Sequence, residues 1–173
     1  MVGRSNVGKS SLINALTRQK IARTSAEPGK TRLANVYRIA RGSLTLHLVD
    51  LPGFGYARRH KAEGNQAPEF GEIAQAVFDR KPAALLLVDS RHPGLDSDRA
   101  AWAWIRETAA EAAVVATKVD KLARGERIRA MRQLESVFEV PALPVSAATG
   151  EGMDELWKLI VKLSTPRQRN PNA

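Results

Sequence analysis

Gly3-Arg4-Ser5-Asn6-Val7-Gly8-Lys9-Ser10 fits the phosphate-loop pattern G-x-x-x-x-G-K-[ST] at each defined position. Glycines allow the backbone amides of such a loop to turn inward around phosphate oxygens, and the helix predicted from Ser10 to Thr17 adds the positive end of its dipole. The pattern places Lys9 on the β- and γ-phosphates, where it serves catalysis, and the Ser10 hydroxyl on Mg²⁺. We therefore predict that this loop, together with Ser11, binds the phosphates of a nucleotide.

Strands and helices are predicted to alternate after this loop, which is typical of a mostly parallel sheet with helices on both faces. Strands are predicted at Leu33–Ala40, Leu44–Val49, Ala84–Val88, Ala112–Ala116 and Ala142–Val145, the first two being antiparallel partners joined through Arg41-Gly42-Ser43. Helices are predicted near Pro68–Arg80, Ser97–Ala109, Glu126–Phe138 and Met153–Leu163. The fold class is α/β, a P-loop NTPase with a Ras-like G domain over residues 1–164 and a polar tail over 165–173.

The chain begins unusually close to its phosphate loop. A P-loop domain places a buried strand directly before this loop, but only Met1 and Val2 precede Gly3. We therefore expect the first strand to be missing, which would leave a gap beside the active site and backbone groups without partners. The sequence would then be a truncated record or a deliberate fragment, and activity would depend on the missing strand.

Two further segments fall where the γ-phosphate would lie. Asp50-Leu51-Pro52-Gly53 ends a predicted strand, where the Asp50 carboxylate can meet Mg²⁺ through a water and the Gly53 amide can contact the γ-phosphate. Gly29-Lys30-Thr31 lies in a loop before the next strand, and Thr31 is the candidate second Mg²⁺ ligand and γ-phosphate sensor. Either motif alone would be an ordinary turn. Their order after the phosphate loop favours a catalytic interpretation of Lys9, Thr31 and Gly53.

Thr117-Lys118-Val119-Asp120 follows a predicted buried strand and is the candidate base-reading element. The Asp120 carboxylate can accept hydrogen bonds from the ring N–H and the exocyclic amine of guanine, whereas adenine would leave the carboxylate unpaired. The stem of Lys118 would pack over the base plane. Ser146-Ala147-Ala148 follows the last strand, where the Ala147 amide could reach the guanine carbonyl oxygen. These motifs predict GTP or GDP as the ligand.

The chain is strongly basic, with 27 Lys and Arg against 18 acids, a net charge of +9 and a pI near 10.4. One basic cluster comprises Lys121, Arg124, Arg127, Arg129 and Arg132. Such clusters gain affinity for polyanions by releasing counterions, so RNA is the simplest partner, although a merely solvated surface, DNA or an acidic membrane stays open. There are no cysteines, no apolar run long enough for a membrane span and no signal peptide, so we expect a cytoplasmic protein.

Several stretches together resemble the EngB family of ribosome-biogenesis GTPases, within the TrmE–Era–EngA–EngB–septin group. These stretches are GRSNVGKSSLINAL, ARTSAEPGKTR, LVDLPGFGYA, LLLVDSRHPG, TKVDKL and SAATGEGMDELW, and they extend from Gly3 to about Leu163. The resemblance implies a monomeric, Mg²⁺-dependent GTPase that acts in late assembly of the large ribosomal subunit and contacts ribosomal RNA. It also implies a role in normal cell division and septation.

Two residues bear on how fast GTP would be hydrolysed. Phe54 stands where Ras-like proteins carry the glutamine that orients the attacking water, so we expect slow intrinsic hydrolysis. Asn6 matches an asparagine that related GTPases use to hold K⁺; a loop-stabilising amide is the equal alternative.

Three other functions are weighed against this one. The chain could be the G domain of an Era-like or tRNA-modification protein, or a nucleotide-sensing RNA-binding module that does not hydrolyse GTP. An ATP-dependent P-loop enzyme is disfavoured, because Asp120 would then have no reason to occupy its position.

Overall fold

A computed structural model of the protein describes residues 1–22, 34–54 and 71–165. The strands and helices of these ranges follow one another in the alternating order expected from the sequence. They are β1 (Val2–Gly3), α1 (Lys9–Thr17), β2 (Asn35–Arg41), β3 (Leu44–Asp50), α2 (Glu72–Phe78), β4 (Ala83–Asp89), α3 (Asp96–Thr108), β5 (Glu111–Thr117), α4 (Arg124–Phe138), β6 (Ala142–Pro144) and α5 (Met153–Ser164), with a 3₁₀ turn at Val119–Lys121.

The strands form the mostly parallel sheet that the sequence predicts. Strands β1, β4, β5 and β6 are hydrogen-bonded in that order and run parallel, while β2 and β3 form an antiparallel pair. The pair turns over Gly42 and Ser43, and Gly42 has a φ of 61°. Glycine adopts this left-handed conformation without the steric penalty of a side chain.

The structure corrects the expectation that the first strand is missing. Val2 and Gly3 form a two-residue strand that pairs in parallel with Leu86 and Leu87 of β4. On the other side the Leu51 amide donates to the Met1 carbonyl oxygen at 3.2 Å, so β1 lies between the hairpin and β4. Both neighbouring strands thus supply hydrogen-bond partners to the backbone of residues 1–3.

Helices cover both faces of the sheet, and strand β4 shows how the sequence decides which side chain faces which layer. Successive strand residues point to opposite faces. Leu86 and Val88 pack with α2, α3 and α4, whereas Leu85 and Leu87 pack with α1 and α5. The indole of Trp102 donates to the Phe138 carbonyl on the first face, and that of Trp157 donates to the Leu16 carbonyl on the second. These hydrogen bonds join α3 to α4 on the first face and α5 to α1 on the second.

The carboxyl ends of the parallel strands lie along one edge of the sheet, which is where ligands bind in open α/β folds. Strands β1, β3, β4 and β5 end there at Gly3, Asp50, Asp89 and Thr117. The predicted Gly29, Lys30 and Thr31 lie outside the described residues, as does the tail from residue 166 onward. Within the described ranges, no helix is long and apolar enough to cross a membrane.

Candidate functional site

The loop between β1 and α1 has the shape of an anion-binding nest. Asn6 and Gly8 have φ angles of 62° and 107°, and these left-handed residues allow successive amides to turn toward one concavity. Gly3 is required by close packing, because a Cβ there would lie 2.8 Å from the Leu87 carbonyl oxygen. Ser10 lies half-buried in the first turn of α1, whereas Ser11 is exposed. The loop that the sequence predicts to bind phosphates therefore has the backbone needed for it.

Lys9 is buried, with 8% of its surface exposed, and its ammonium group is held inside the loop. Nζ donates to the carbonyl oxygens of Gly3 at 3.0 Å and Arg4 at 3.3 Å. Burial lowers the pKa of Lys9, and the nearby Asp50 partly opposes that shift. Carbonyl oxygens are weaker partners for an ammonium than phosphate oxygens, so Lys9 can exchange them for a nucleotide.

Asp50 ends β3 and is buried beside Lys9, with 2% of its surface exposed. Its Oδ1 atom has no hydrogen-bond partner among the described residues. Burial raises the pKa of this carboxyl group, and the charges of Lys9 and the chain's amino terminus lower it. A buried carboxylate oxygen without a partner is costly, so this atom fits the water-mediated Mg²⁺ contact predicted from the sequence. The Ser10 hydroxyl is the metal ligand predicted from the sequence, and the described residues contain no cluster of three or more acids, histidines or cysteines that could hold a metal.

Gly53 lies directly against the phosphate loop. A Cβ built on Gly53 would be 2.7 Å from the Ser5 amide nitrogen and 2.8 Å from the Ser5 hydroxyl oxygen, so only glycine fits. The next residue, Phe54, forms a parallel backbone bridge with Arg4. Leu51 and Phe54 are buried in the core, while Pro52 and Gly53 are half-buried between them. The structure therefore brings the predicted γ-phosphate segment and the phosphate loop together.

The base-reading residues are already hydrogen-bonded to one another. Ser146 is fully buried and its hydroxyl donates to Asp120 Oδ1 at 2.6 Å, which is the main reason that the pKa of Asp120 is lowered. The Ser146 oxygen in turn accepts from the amides of Ala148 at 3.2 Å and Thr149 at 3.1 Å. The amide of Ala147 makes no hydrogen bond to a described residue and stays available for a base. The hydrogen bond from Ser146 thus favours the ionised form of Asp120 and fixes the direction of its carboxylate.

Thr117 and Lys118 join the base-reading loop to the phosphate loop. The Thr117 hydroxyl donates to the Val7 carbonyl oxygen at 2.7 Å. Lys118 Nζ donates to the Asn6 carbonyl oxygen, and its stem crosses Gly8, where a Cβ would lie 3.8 Å from Lys118 Cε. The adjacent Val119 is buried and anchors the turn in the core. This arrangement fits the prediction that the Lys118 stem lines the base pocket.

Asp89 and Arg91 are site residues to which the sequence assigned no role. Asp89 ends β4, accepts from Lys118 Nζ at 2.9 Å and receives two bonds from the Arg91 guanidinium at 2.9 and 2.7 Å. These bonds hold the pKa of Asp89 well below its usual range despite burial. An acid directly after a buried parallel strand, as at Asp50, is the signal that could have identified Asp89.

A second unassigned carboxylate, Asp98, lies on the far side of the phosphate loop. Its side chain is fully buried, and Arg4 Nε donates to its two oxygens at 3.1 and 3.3 Å. The Arg4 side chain therefore points to α3, and only the backbone of Arg4 can line the nucleotide site. No sequence signal marks Asp98, because it is one of two acids in the first turn of an ordinary helix.

Comparisons with known proteins agree with this geometry. The family model described as "50S ribosome-binding GTPase" matches residues 1–118. The chain is 39% identical to the probable GTP-binding protein EngB of Alkaliphilus metalliredigens, over 91% of this chain and 76% of that protein. It is 41% identical to the protein of the same description from an Anaeromyxobacter species, over 95% of this chain and 81% of that one.

Solved structures show the same fold. A crystal structure of a probable GTP-binding protein EngB superposes with a TM-score of 0.60 at 26% identity, covering 94% of this chain and 95% of that one. Era of Aquifex aeolicus, bound to GDP and AlF₄⁻, superposes with a TM-score of 0.77 at 25% identity, covering 95% of this chain and 56% of that one. The phosphate loop, the base-reading loop and these relatives together place the chain in the P-loop GTPases, as a member of the EngB family of GTP-binding proteins.

Proposed function

We propose that the protein is a Mg²⁺-dependent GTPase that hydrolyses GTP to GDP and phosphate and acts as a switch in assembly of the large ribosomal subunit. The observation that carries this proposal is the linkage of the two loops: Thr117 and Lys118 bond directly to the phosphate loop through Val7 and Asn6. A guanine held by Asp120 would therefore present its phosphates to that loop in one fixed register.

The residues of the chain suffice to bind and orient the substrate. Asp120 holds the base, the amides of the phosphate loop and Lys9 hold the phosphates, and the Gly53 amide lies beside the loop to receive the γ-phosphate. Ser10, Thr31 and, through a water, Asp50 would hold Mg²⁺, which neutralises charge on the β- and γ-phosphate oxygens. A water oxygen then bonds to the γ-phosphorus while the bond to the β–γ bridging oxygen breaks, which yields GDP and inorganic phosphate.

Slow intrinsic hydrolysis is part of this proposal. Phe54 is buried, with 6% of its surface exposed, and its ring belongs to the core below the sheet edge. A phenyl ring has no donor or acceptor group with which to orient a water molecule. Catalysis would then rest on electrostatic stabilisation by Lys9, the metal and backbone amides, with K⁺ at Asn6 or a ribosomal group as the accelerator.

The ribosomal part of the proposal rests on charge and on the relatives. The matching family model describes ribosome-binding GTPases. On α4, Arg124, Arg129 and Arg132 are exposed and form no ion pair with a described acid, whereas Arg127 pairs with Glu151. Unpaired surface arginines fit the phosphate backbone of ribosomal RNA. By the same family membership we propose a cytoplasmic monomer that supports cell division.

Single-turnover hydrolysis of GTP tests the activity directly. We expect a slow rate with Na⁺ and a faster rate with K⁺ or with large ribosomal subunits. Ser10→Ala is the control, because it removes a metal ligand from the loop and should abolish hydrolysis. Absence of hydrolysis by the wild-type protein under every condition would contradict the enzyme assignment. The buried Phe54 would then favour the second candidate, a nucleotide-sensing RNA-binding module.

A further inference from the structure

Asp98 is the most deeply buried carboxylate outside the residues that the proposed function uses. Its side chain is fully inaccessible, and Arg4 is its sole ion-pair partner among the described residues. It lies in the first turn of α3, which packs through Ala101, Trp102 and Ile105 into the core. The packing of α3 therefore fixes the position of Asp98, and the ion pair fixes the Arg4 side chain against it.

Arg4 connects Asp98 to the two groups that would meet the γ-phosphate. Its carbonyl oxygen accepts a hydrogen bond from Lys9 Nζ at 3.3 Å. Its backbone also forms the parallel bridge with Phe54, directly after Gly53. A movement of Arg4 would therefore shift both the lysine and the segment that carries Gly53.

The backbone of Gly53 packs directly against Ser5. A Cβ on Gly53 would meet Ser5 backbone and side-chain atoms at 2.7 to 2.9 Å, which is closer than real Cβ contacts. The position of the Gly53 amide thus follows the position of residues 4 and 5. A diphosphate lacks the γ-phosphate that the Gly53 amide would meet, so its binding is expected to depend on Arg4 through Lys9 alone.

Stability does not explain why the pair exists. Burial raises the pKa of Asp98 to about 6, even though Arg4 beside it acts in the opposite direction. The ionised carboxylate is thus less favourable in the folded protein than in water at neutral pH. A neutral side chain of the same shape is therefore expected to fold at least as well, and the contacts of Arg4 with Asp98 and Lys9 point to a positioning role for the charge.

We propose that Asp98 is a positioning residue for the γ-phosphate: through Arg4 it holds the phosphate loop against Gly53, so that triphosphate binding depends on Asp98 more than diphosphate binding does. This inference rests on the proposed function. It adds a residue on α3 that touches neither nucleotide nor metal.

The test compares two carboxylates in the same helical turn. Asp98→Asn keeps the shape and removes the charge, and Asp96→Asn is the matched control because Asp96 is exposed. We expect Asp98→Asn to lower affinity for a non-hydrolysable GTP analogue about tenfold, the loss typical of one hydrogen bond to a charged group. GDP affinity should fall less than the affinity for the GTP analogue, since GDP shares the contact with Lys9 but has no γ-phosphate to meet the Gly53 amide. Asp96→Asn should change neither affinity.

A double variant separates positioning from folding. Arg4→Gln alone leaves a buried charge without a partner and should lower the unfolding temperature. Adding Asp98→Asn removes that charge, so the double variant should regain the unfolding temperature while keeping the low ratio of GTP-analogue to GDP affinity. If Asp98→Asn loses affinity equally for the GTP analogue and GDP, or loses none, the positioning role of Asp98 is wrong, while the proposed GTPase function is unaffected. If the wild-type protein binds no guanine nucleotide, the proposed function fails as well.

Discussion

The guanine-reading end of the site and its phosphate-binding end differ in how their charged side chains are paired. At the guanine end, Asp120 is bonded to Ser146, and Lys118 is bonded to Asp89. At the phosphate end, Asp50 Oδ1 has no partner within the described ranges, and Lys9 bonds to loop carbonyl oxygens. The candidate switch residue Thr31 lies outside the described residues.

This difference indicates that folding fixes the groups predicted to read the base, whereas Asp50 and Lys9 keep hydrogen-bonding capacity that a nucleotide could use. A preorganised site gives strong discrimination, because a wrong base leaves fixed polar groups unpaired. A phosphate site whose groups must rearrange can respond to the presence of the γ-phosphate, which is what a switch requires.

The substitution Asp120→Asn should cause the largest loss of guanine-nucleotide affinity. The amide replaces one acceptor oxygen with a donor that faces the exocyclic amine of guanine, so affinity for GDP should fall by about 10³- to 10⁴-fold. Xanthosine diphosphate carries a carbonyl in place of that amine and should bind the variant better than GDP does. Competition titrations with the two nucleotides measure this reversal, and unchanged guanine preference would contradict the role of Asp120.

Lys9→Ala should damage the phosphate end and leave base selection intact. Loss of a charge that stabilises the transition state should lower the single-turnover rate of GTP hydrolysis by about 10²- to 10³-fold. The ratio of guanine to adenine nucleotide affinity should remain that of the wild type, because Asp120 and Ser146 are untouched. A collapse of that ratio in equilibrium titrations would show that the two ends are not separable.

The contributions of Asp98 and Asp89 to the free energy of unfolding should change in opposite directions with pH. The folded-state pKa of Asp98 is about 6, above its unfolded value of 3.8, so its contribution to stability is full at low pH and is lost as pH rises. The free energy of unfolding of the wild type relative to Asp98→Asn should therefore fall by about 3 kcal/mol, mostly between pH 4 and pH 6. Arg4 and Asp89 are the charged groups that act on Asp98, with opposite signs.

Asp89 provides the matched comparison for that experiment. Its folded-state pKa lies below the unfolded value, because Arg91 and Lys118 bond to the ionised form, so its stabilising contribution is present above the unfolded pKa and is lost in acid. The difference between wild type and Asp89→Asn should therefore grow as pH rises toward about 4 and stay level above it. Denaturant titrations from acidic to neutral pH measure both variants, and an Asp89 difference that grows as pH falls would contradict the assigned shift.

The smallest effect is expected when Asp89→Asn is assayed for nucleotide binding. Lys118 would lose its charged partner but keep its bond to the Asn6 carbonyl, so affinity for GDP and for a GTP analogue should fall about tenfold together. Equal losses for the two nucleotides would distinguish this guanine-end residue from Asp98, whose substitution is expected to weaken triphosphate binding more than diphosphate binding. Titrating each nucleotide against one fluorescent competitor gives the ratio of wild-type to variant affinity for GDP and for the GTP analogue.

Much of the fold followed from local sequence patterns. Continuous apolar runs predicted β4 and β5, because strands buried on both faces need apolar residues at every position, and the observed strands extend one residue beyond each run at both ends. The spacing of Met153, Leu156, Trp157 and Ile160 predicted α5 in the same way. The two-residue strand β1 was missed because no local pattern marks it. Its pairing depends on distant partners: Met1 bonds to Val49, 48 positions along the chain, and Val2 pairs with Leu86, 84 positions along the chain.

The sequence by itself predicted a guanine nucleotide as the ligand and the backbone segments expected to hold it, because the phosphate loop, Asp50–Gly53, Thr117–Asp120 and Ser146–Ala148 are contiguous motifs whose chemistry is local. Only the tertiary structure decided which side chains fix these motifs in place. Asp89 and Asp98 are set beside Lys118 and Arg4 by the packing of β4 and α3 against the loops, across separations of 29 and 94 residues. A short motif cannot encode such a contact, since the two charges meet only after the sheet and its helices have closed around them.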